Sequence, residues 1–245
     1  MEKVKFQNTK KENLIGILHK PEIKSESGVI ISHGFTSNKD RDRLVKLGEE
    51  LAKNGFATLR FDFGGCGESD DREITVKNQV DDLKSAISYM KEKGYSNIAL
   101  AGESLGALTS IHAYEEDVKT LVLIAPVTGP KKPSIIQKEE LKHELKDKEF
   151  MIYKKDNKNF KITKEYFEER LSVNQEEIIS KLKCPVLIIH GDKDPTIPLE
   201  QSKSAMKYLS KDSKLEIIKD GDHSLDDKIE QVILLMNKWF KKHLQ

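Results

Sequence analysis

Short apolar runs alternate along the chain with longer stretches whose apolar positions recur every three or four residues. Val29–Ser32, Phe56–Phe61, Asn97–Ala101, Lys119–Ile124, Pro185–His190 and Lys214–Lys219 have strand length. Several are apolar throughout, the pattern of strands covered on both faces. Between them, Arg41–Asn54 sets Leu44, Leu47 and Leu51 on one helical face and stops at Gly55, a C-cap. Thr75–Lys93 does the same with Val76, Val80, Leu83, Ile87 and Met90, and ends at Gly94. Leu105–Glu116, Leu199–Leu209 and Asp226–His243 also read as helices. Near the N-terminus, Lys3–Gln7 and Leu14–His19 read as a hairpin around the polar turn Asn8–Asn13. Strand and helix in alternation predict an α/β protein: a mostly parallel sheet with helices on both faces.

The rhythm breaks between Gly129 and about Lys181. This segment is rich in Lys and Glu and poor in long apolar runs. Within it, Met151–Tyr153 and Phe160–Ile162 flank the turn-like Asp156-Asn-Lys-Asn159, and Lys164–Ser172 has helical character. The pattern predicts a core from residues 1–128 and 182–245, with residues 129–181 inserted as a small cap. A charged, solvent-facing helical stretch of the main domain is the plainer reading; the hairpin signal favours the cap.

Composition narrows the function classes. The 42 basic and 41 acidic side chains leave a formal net charge of +1, which gives no electrostatic reason to expect nucleic acid or an anionic membrane as partner. Met1–Phe6 contains no apolar h-region and no run reaches bilayer length, so neither a signal peptide nor membrane insertion is expected. Cys66 and Cys184 lie far apart and lack metal-ligand spacing, which suits a reducing cytoplasm. No His/Glu spacing suggests a metal site, and Gly64–Gly67 lacks the frame of a phosphate cradle. No cofactor is expected. A homodimer is compatible with the pattern but not required by it.

The chemistry enters at Gly102-Glu-Ser-Leu-Gly106, directly after the strand Asn97–Ala101 and before the helix from Leu105. G-x-S-x-G at a strand-to-helix turn is a nucleophile elbow. Ser104 must take a backbone conformation that ordinary residues avoid, and the flanking glycines let strand and helix approach closely. A serine hydroxyl needs a base, and the base needs a carboxylate to hold its tautomer. Of seven histidines, His223 is best placed, in the loop Asp220-Gly-Asp-His-Ser224 after the last strand. His19 and His112 sit within a strand and a helix and read as packing residues; His143 lies in the insert and His243 near the C-terminus. The carboxylate comes from His190-Gly-Asp-Lys-Asp-Pro195, where both Asp192 and Asp194 qualify. Pro195 biases Asp194 toward an extended geometry, so Asp194 is preferred as the acid and Asp192 as a turn former. An oxyanion would take the amides of Leu105 and of Phe35, the latter in His33-Gly-Phe-Thr36 with His33 as framework. Asp62 reads as a carboxylate bonding the Gly64–Gly67 turn. Cys66 has no basic partner in sequence and reads as inert.

These motifs together resemble the α/β-hydrolase superfamily, and within it the serine-hydrolase branch of monoacylglycerol lipases, S33-type peptidases and bacterial cinnamoyl (feruloyl) esterases. The matching segments are His33-Gly-Phe35, Phe61–Ser69, Gly102–Gly106, Gly191-Asp-Lys-Asp194 and Gly221-Asp-His223, in family order. The resemblance implies an eight-stranded, mostly parallel sheet and a lid inserted after the sixth strand. One departure is Glu103, where many relatives carry histidine; it lies beneath the elbow and leaves the triad assignment intact. The implied activity is cofactor-free cleavage of a small-molecule carboxylic ester, of cinnamoyl or short-chain acyl type. Peptide, thioester or lactone hydrolysis would use the same residues. A non-catalytic binding protein of the same fold would be marked by loss of a triad residue.

Overall fold

The computed structural model describes residues 1–129 and 148–244. The part of the expected cap between 130 and 147, with His143, lies outside the described residues. β1 (Glu2–Gln7) and β2 (Asn13–His19) form the N-terminal hairpin, paired antiparallel with Gln7 opposite Asn13. The remaining sheet strands are β3 (Ser27–Ser32), β4 (Ala57–Phe61), β5 (Asn97–Glu103), β6 (Val118–Ile124), β9 (Val186–Gly191) and β10 (Lys214–Ile218). These eight strands run in the order β1-β2-β4-β3-β5-β6-β9-β10. From β4 onward every pairing is parallel.

The continuous apolar runs have the cause expected. Alternate residues of one strand feed two cores on opposite faces. Val29 and Ile31 of β3, Ala99 and Ala101 of β5, and Leu187 and Ile189 of β9 pack with α1 (Asp42–Lys53) and α7 (Ile229–Leu244). Ile30, Ile98, Leu100, Val186 and Ile188 pack on the other face with α2 (Val76–Glu92) and α3 (Leu105–His112). With both faces covered, both sets of positions are mostly apolar, and the polar exceptions such as Arg60, Thr120 and His190 are hydrogen-bonded.

The chain passes from β3 to its neighbour β4 and then crosses back over β3 to β5. That reversal falls between the carboxyl ends of β3 and β5, the position at which such sheets hold their ligands.

Between β6 and β9, the described part of the insert contains β7 (Phe150–Lys155), β8 (Lys158–Thr163), α4 (Lys164–Leu171) and α5 (Gln175–Ile179). The hairpin turn is tighter than the four residues expected. Asp156 and Asn157 both take positive φ, and pairing resumes at Lys155 and Lys158, as in a two-residue turn matched to strand twist. The insert is bonded to the core by Ile74 N–H to the Lys161 carbonyl (2.9 Å). The Glu169 carboxylate accepts the first amides of α2, Val76 (2.6 Å) and Lys77 (2.9 Å), a favourable end for an anion.

Among the described residues no helix is long and apolar enough to cross a membrane, and no cluster of His, Cys, Asp or Glu is arranged to hold a metal ion.

Candidate active site

Ser104 closes the turn from β5 into α3 at φ 52° and ψ −113°. A Cβ at Gly102 would lie 2.4 Å from the Gly106 carbonyl oxygen, and one at Gly106 would lie 2.3 Å from that of Ser32. Glycine is thus the only residue that fits at either place, and their absence of side chains permits the strained serine. Ser104 N–H donates to Ile124 O of β6 at 2.9 Å, which pins the turn to the sheet.

The loops after β9 and β10 bring the other two residues in. They cross at Gly191 and Gly221, where a Cβ on Gly191 would meet the Gly221 carbonyl oxygen at 2.1 Å. His223 Nδ1 lies 2.7 Å from Asp194 Oδ2 and His223 Nε2 lies 3.0 Å from Ser104 Oγ. The network assigns the tautomer: Nδ1–H donates to the carboxylate, and Nε2 accepts from the serine hydroxyl.

The Asp194 side chain is fully buried, and both of its oxygens are engaged. Oδ1 accepts the amides of Thr196 (2.7 Å) and Ile197 (2.9 Å). Oδ2 faces His223 and, at 3.1 Å, Nε2 of the buried His190. Burial works to raise this carboxyl, but hydrogen bonds from His190, His223 and the Ile197 amide override it. They hold it well below the usual carboxylate range. His190 is oriented in turn: its Nε2 donates to the Ile197 carbonyl (3.0 Å) and its Nδ1 meets Ser202 Oγ (2.6 Å).

The other acidic candidates stand apart. Asp192 accepts the Asp220 amide at 2.7 Å, and Asp222 accepts those of Ser224 and Leu225.

Among the described residues neither Phe35 N–H nor Leu105 N–H donates to a protein acceptor. The Phe35 peptide is fixed through its other end. His33 Nδ1 lies 2.8 Å from the Gly34 carbonyl, and the Ser37 amide donates to the same oxygen at 3.3 Å. Phe63 N–H donates to His33 Nε2 (3.2 Å), so Nδ1 carries the proton. Burial lowers the pKa of this ring and favours that neutral form. The Phe35 ring stacks between Tyr153 and Tyr166 of the insert, at centroid distances of 6.2 and 5.0 Å. Lys155 Nζ donates to Thr36 O at 3.2 Å. The insert thus grips the β3–α1 loop directly.

The bonding of two groups beneath this surface was not foreseen from sequence, although Glu103 was placed beneath the elbow. Glu103 Oε1 accepts Gly34 N–H (3.1 Å) and Arg43 Nη2 (2.8 Å); Oε2 accepts Arg43 Nε (2.6 Å). Lys39 is 1% exposed, with Nζ bound to Asp40, Asp62 and Glu68. Asp62 therefore serves Lys39 and the Glu68 amide (3.0 Å) rather than the glycines of the Gly64–Gly67 turn. The Gly64 amide goes to Asp82, which is paired with Arg72. Cys66 is enclosed, and burial pushes its thiol up to about 12; Cys184 is pushed up to about 11.

A mostly parallel sheet, a reversal of strand order beside β3 and a serine at a strained strand-to-helix turn define the class: an α/β hydrolase. Residues 24–181 match the Hydrolase_4 sequence family, described as serine aminopeptidase, S33, and the chain belongs to that family. The mitochondrial palmitoyl-protein thioesterase ABHD10 of Bos taurus is 27% identical over 223 residues, spanning 85% of this chain and 70% of the relative. Est1E from Butyrivibrio proteoclasticus, solved with ferulic acid bound, is 26% identical with a TM-score of 0.82 over 98% of both chains. The α/β hydrolase GrgF from Penicillium sp. sh18 shares the fold, with a TM-score of 0.81 at 20% identity over 99% of this chain and 98% of its own. The protein is a hydrolase of esterase- or thioesterase-like type.

Proposed function

We propose that the protein cleaves carboxylic esters through an acyl-enzyme on Ser104. The carrying observation is the unbroken line Ser104 Oγ, His223 and Asp194, with contacts of 3.0 and 2.7 Å. Ser104 Oγ attacks the ester carbonyl while its proton passes to His223 Nε2. The carbonyl oxygen becomes an oxyanion, held by the unengaged amides of Phe35 and Leu105. Collapse breaks the bond to the alkoxy group, which takes the proton from Nε2 and leaves as the alcohol. Water then gives its proton to His223 and its oxygen to the acyl carbon. The acid departs and Ser104 regains its proton. Asp194 keeps Nδ1–H directed at itself and stabilises the imidazolium in both halves.

The aromatic surroundings of the oxyanion loop, Tyr153, Phe35 and Tyr166, suit a flat acyl group. Similarity to a structure holding ferulic acid supports the same preference. Similarity to a palmitoyl-protein thioesterase supports a second reading, thioester cleavage by the same steps. A panel of p-nitrophenyl esters of rising chain length, a methyl hydroxycinnamate, a palmitoyl thioester and an aminoacyl anilide separates these. Ser104→Ala is expected to lower ester turnover by about 10⁴-fold or more and to abolish labelling by a serine-directed phosphonate. Near-normal activity in that variant would place the nucleophile elsewhere.

A further inference from the structure

We infer that Glu103 and Arg43 are positioning residues for this chemistry, fixing the direction of the Phe35 amide and cancelling a negative charge beside it. The inference rests on the reading that Ser104 forms an oxyanion held by that amide.

Glu103 immediately precedes Ser104, and its Oε1 accepts the Gly34 N–H at 3.1 Å. The carbonyl end of Gly34 is held by His33 and Ser37. Both rotations of Gly34 are therefore set by bonds at its two ends, and the next N–H in the chain is that of Phe35. Glycine brings little conformational preference of its own. The direction of the Phe35 amide accordingly depends on those bonds, and Glu103 supplies the one at the nitrogen.

A carboxylate is a stiff, strong acceptor, but a negative charge beside a developing oxyanion opposes it. Arg43 removes that objection. It comes from the first turn of α1 and grips both Glu103 oxygens through Nε and Nη2. The pair is largely buried, with side-chain exposures of 16% and 8%, so solvent screens it little. Arg43 Nη1 extends to Asp226 Oδ1 at 3.2 Å, three residues beyond His223. One cation therefore joins the strand end carrying the nucleophile, the oxyanion loop and the segment following the histidine.

The charge argument gives an asymmetry that a merely structural ion pair would not show. Arg43→Met leaves an uncompensated carboxylate beside the oxyanion. Glu103→Gln keeps an acceptor for Gly34 N–H and removes the negative charge. The test measures kcat and KM on a p-nitrophenyl ester, per active site titrated with a phosphonate, and thermal midpoints separately. Arg43→Met and Glu103→Ala are expected to lose about 10- to 100-fold in kcat with KM within about twofold, since the lost interaction acts in the transition state. Glu103→Gln should keep kcat within about threefold, and Arg43→Met/Glu103→Gln should regain most of the loss. Equal kcat per site in all variants, whatever their midpoints, would reduce the pair to a structural bridge and overturn the inference. A double variant no better than Arg43→Met would overturn the charge-cancelling role. If Glu103→Ala fails to fold, the Arg43→Met and double-variant comparison still decides. Ser104→Ala is the separate control: if it retains hydrolysis, the reading of the site fails, independently of what these variants do.

Discussion

Asp194 carries four contacts on two oxygens: two from neighbouring backbone amides, one from a buried histidine and one from His223. An amide in its place would keep the size and lose the partner for an imidazolium. Asp194→Asn is therefore expected to lower kcat by about 10³- to 10⁴-fold. Asp192→Asn, which touches only the Asp220 amide, should leave turnover within about twofold and cost about 1 kcal/mol of stability or less. Equal losses would reverse the assignment. The same carboxyl has a pH consequence. Its folded pKa is depressed, so its contribution is fully present above the unfolded value of about 4 and is lost as pH falls through the folded value. The stability gap between the native protein and Asp194→Asn should thus narrow below about pH 4 in chemical denaturation. Ser104, Asp194 and His223, which the structure brings into contact, are selected from sequence because each sits in a short local signature and the three follow a fixed chain order. His190, Lys39 and the Glu103–Arg43 pair carry no such signature. Arg43 and Glu103 meet only once the chain has folded, 60 positions apart, and no periodicity connects them.

Elements were legible where apolar period and cap agreed, and less so where tertiary contacts set the ends. α1 and α2 fall within about two residues of their expected spans. α3 ends at His112 rather than Glu116, because a turn from Glu115 to Val118 already opens β6. α6 (Leu199–Ala205) is shorter than expected, its last residues tightening into turns such as Tyr208 N–H to Ala205 O. The helical pattern from Asp226 resolves into a 3-10 turn at Asp226–Lys228 and then α7. α5 was not foreseen, although Asn174 and Glu177 form its start, Asn174 Oδ1 accepting the Glu177 amide. Within the insert, α4 presents Tyr166 to Phe35 with ring planes 15° apart. Tyr166→Ala should destabilise the protein by about 3 kcal/mol. If the insert governs substrate choice, the same change should alter the ratio of kcat/KM between a hydroxycinnamate and a short acyl ester. An unchanged ratio would leave selection to the core loops, chiefly residues 33–40 and 63–71.

At the scale of the molecule, the sheet divides the structure into two apolar halves. The loops carrying Ser104, Asp194 and His223 all leave from the carboxyl ends of the strands, the edge proposed as reactive. The two cysteines happen to sample both regions. Cys66 lies in the turn after β4, close to the reactive edge, and Cys184 lies just before β9, at the far end of the strands. Both are shut away and protonated in the folded protein, so neither reacts until the chain around it opens. They form a pair of internal clocks. Alkylation followed by mass spectrometry, in rising low concentrations of urea, should give equal rates at both thiols if the protein opens as one unit. Faster modification of Cys66 would show that the reactive edge breathes ahead of the rest, and would give the free energy of that partial opening without any substrate being present.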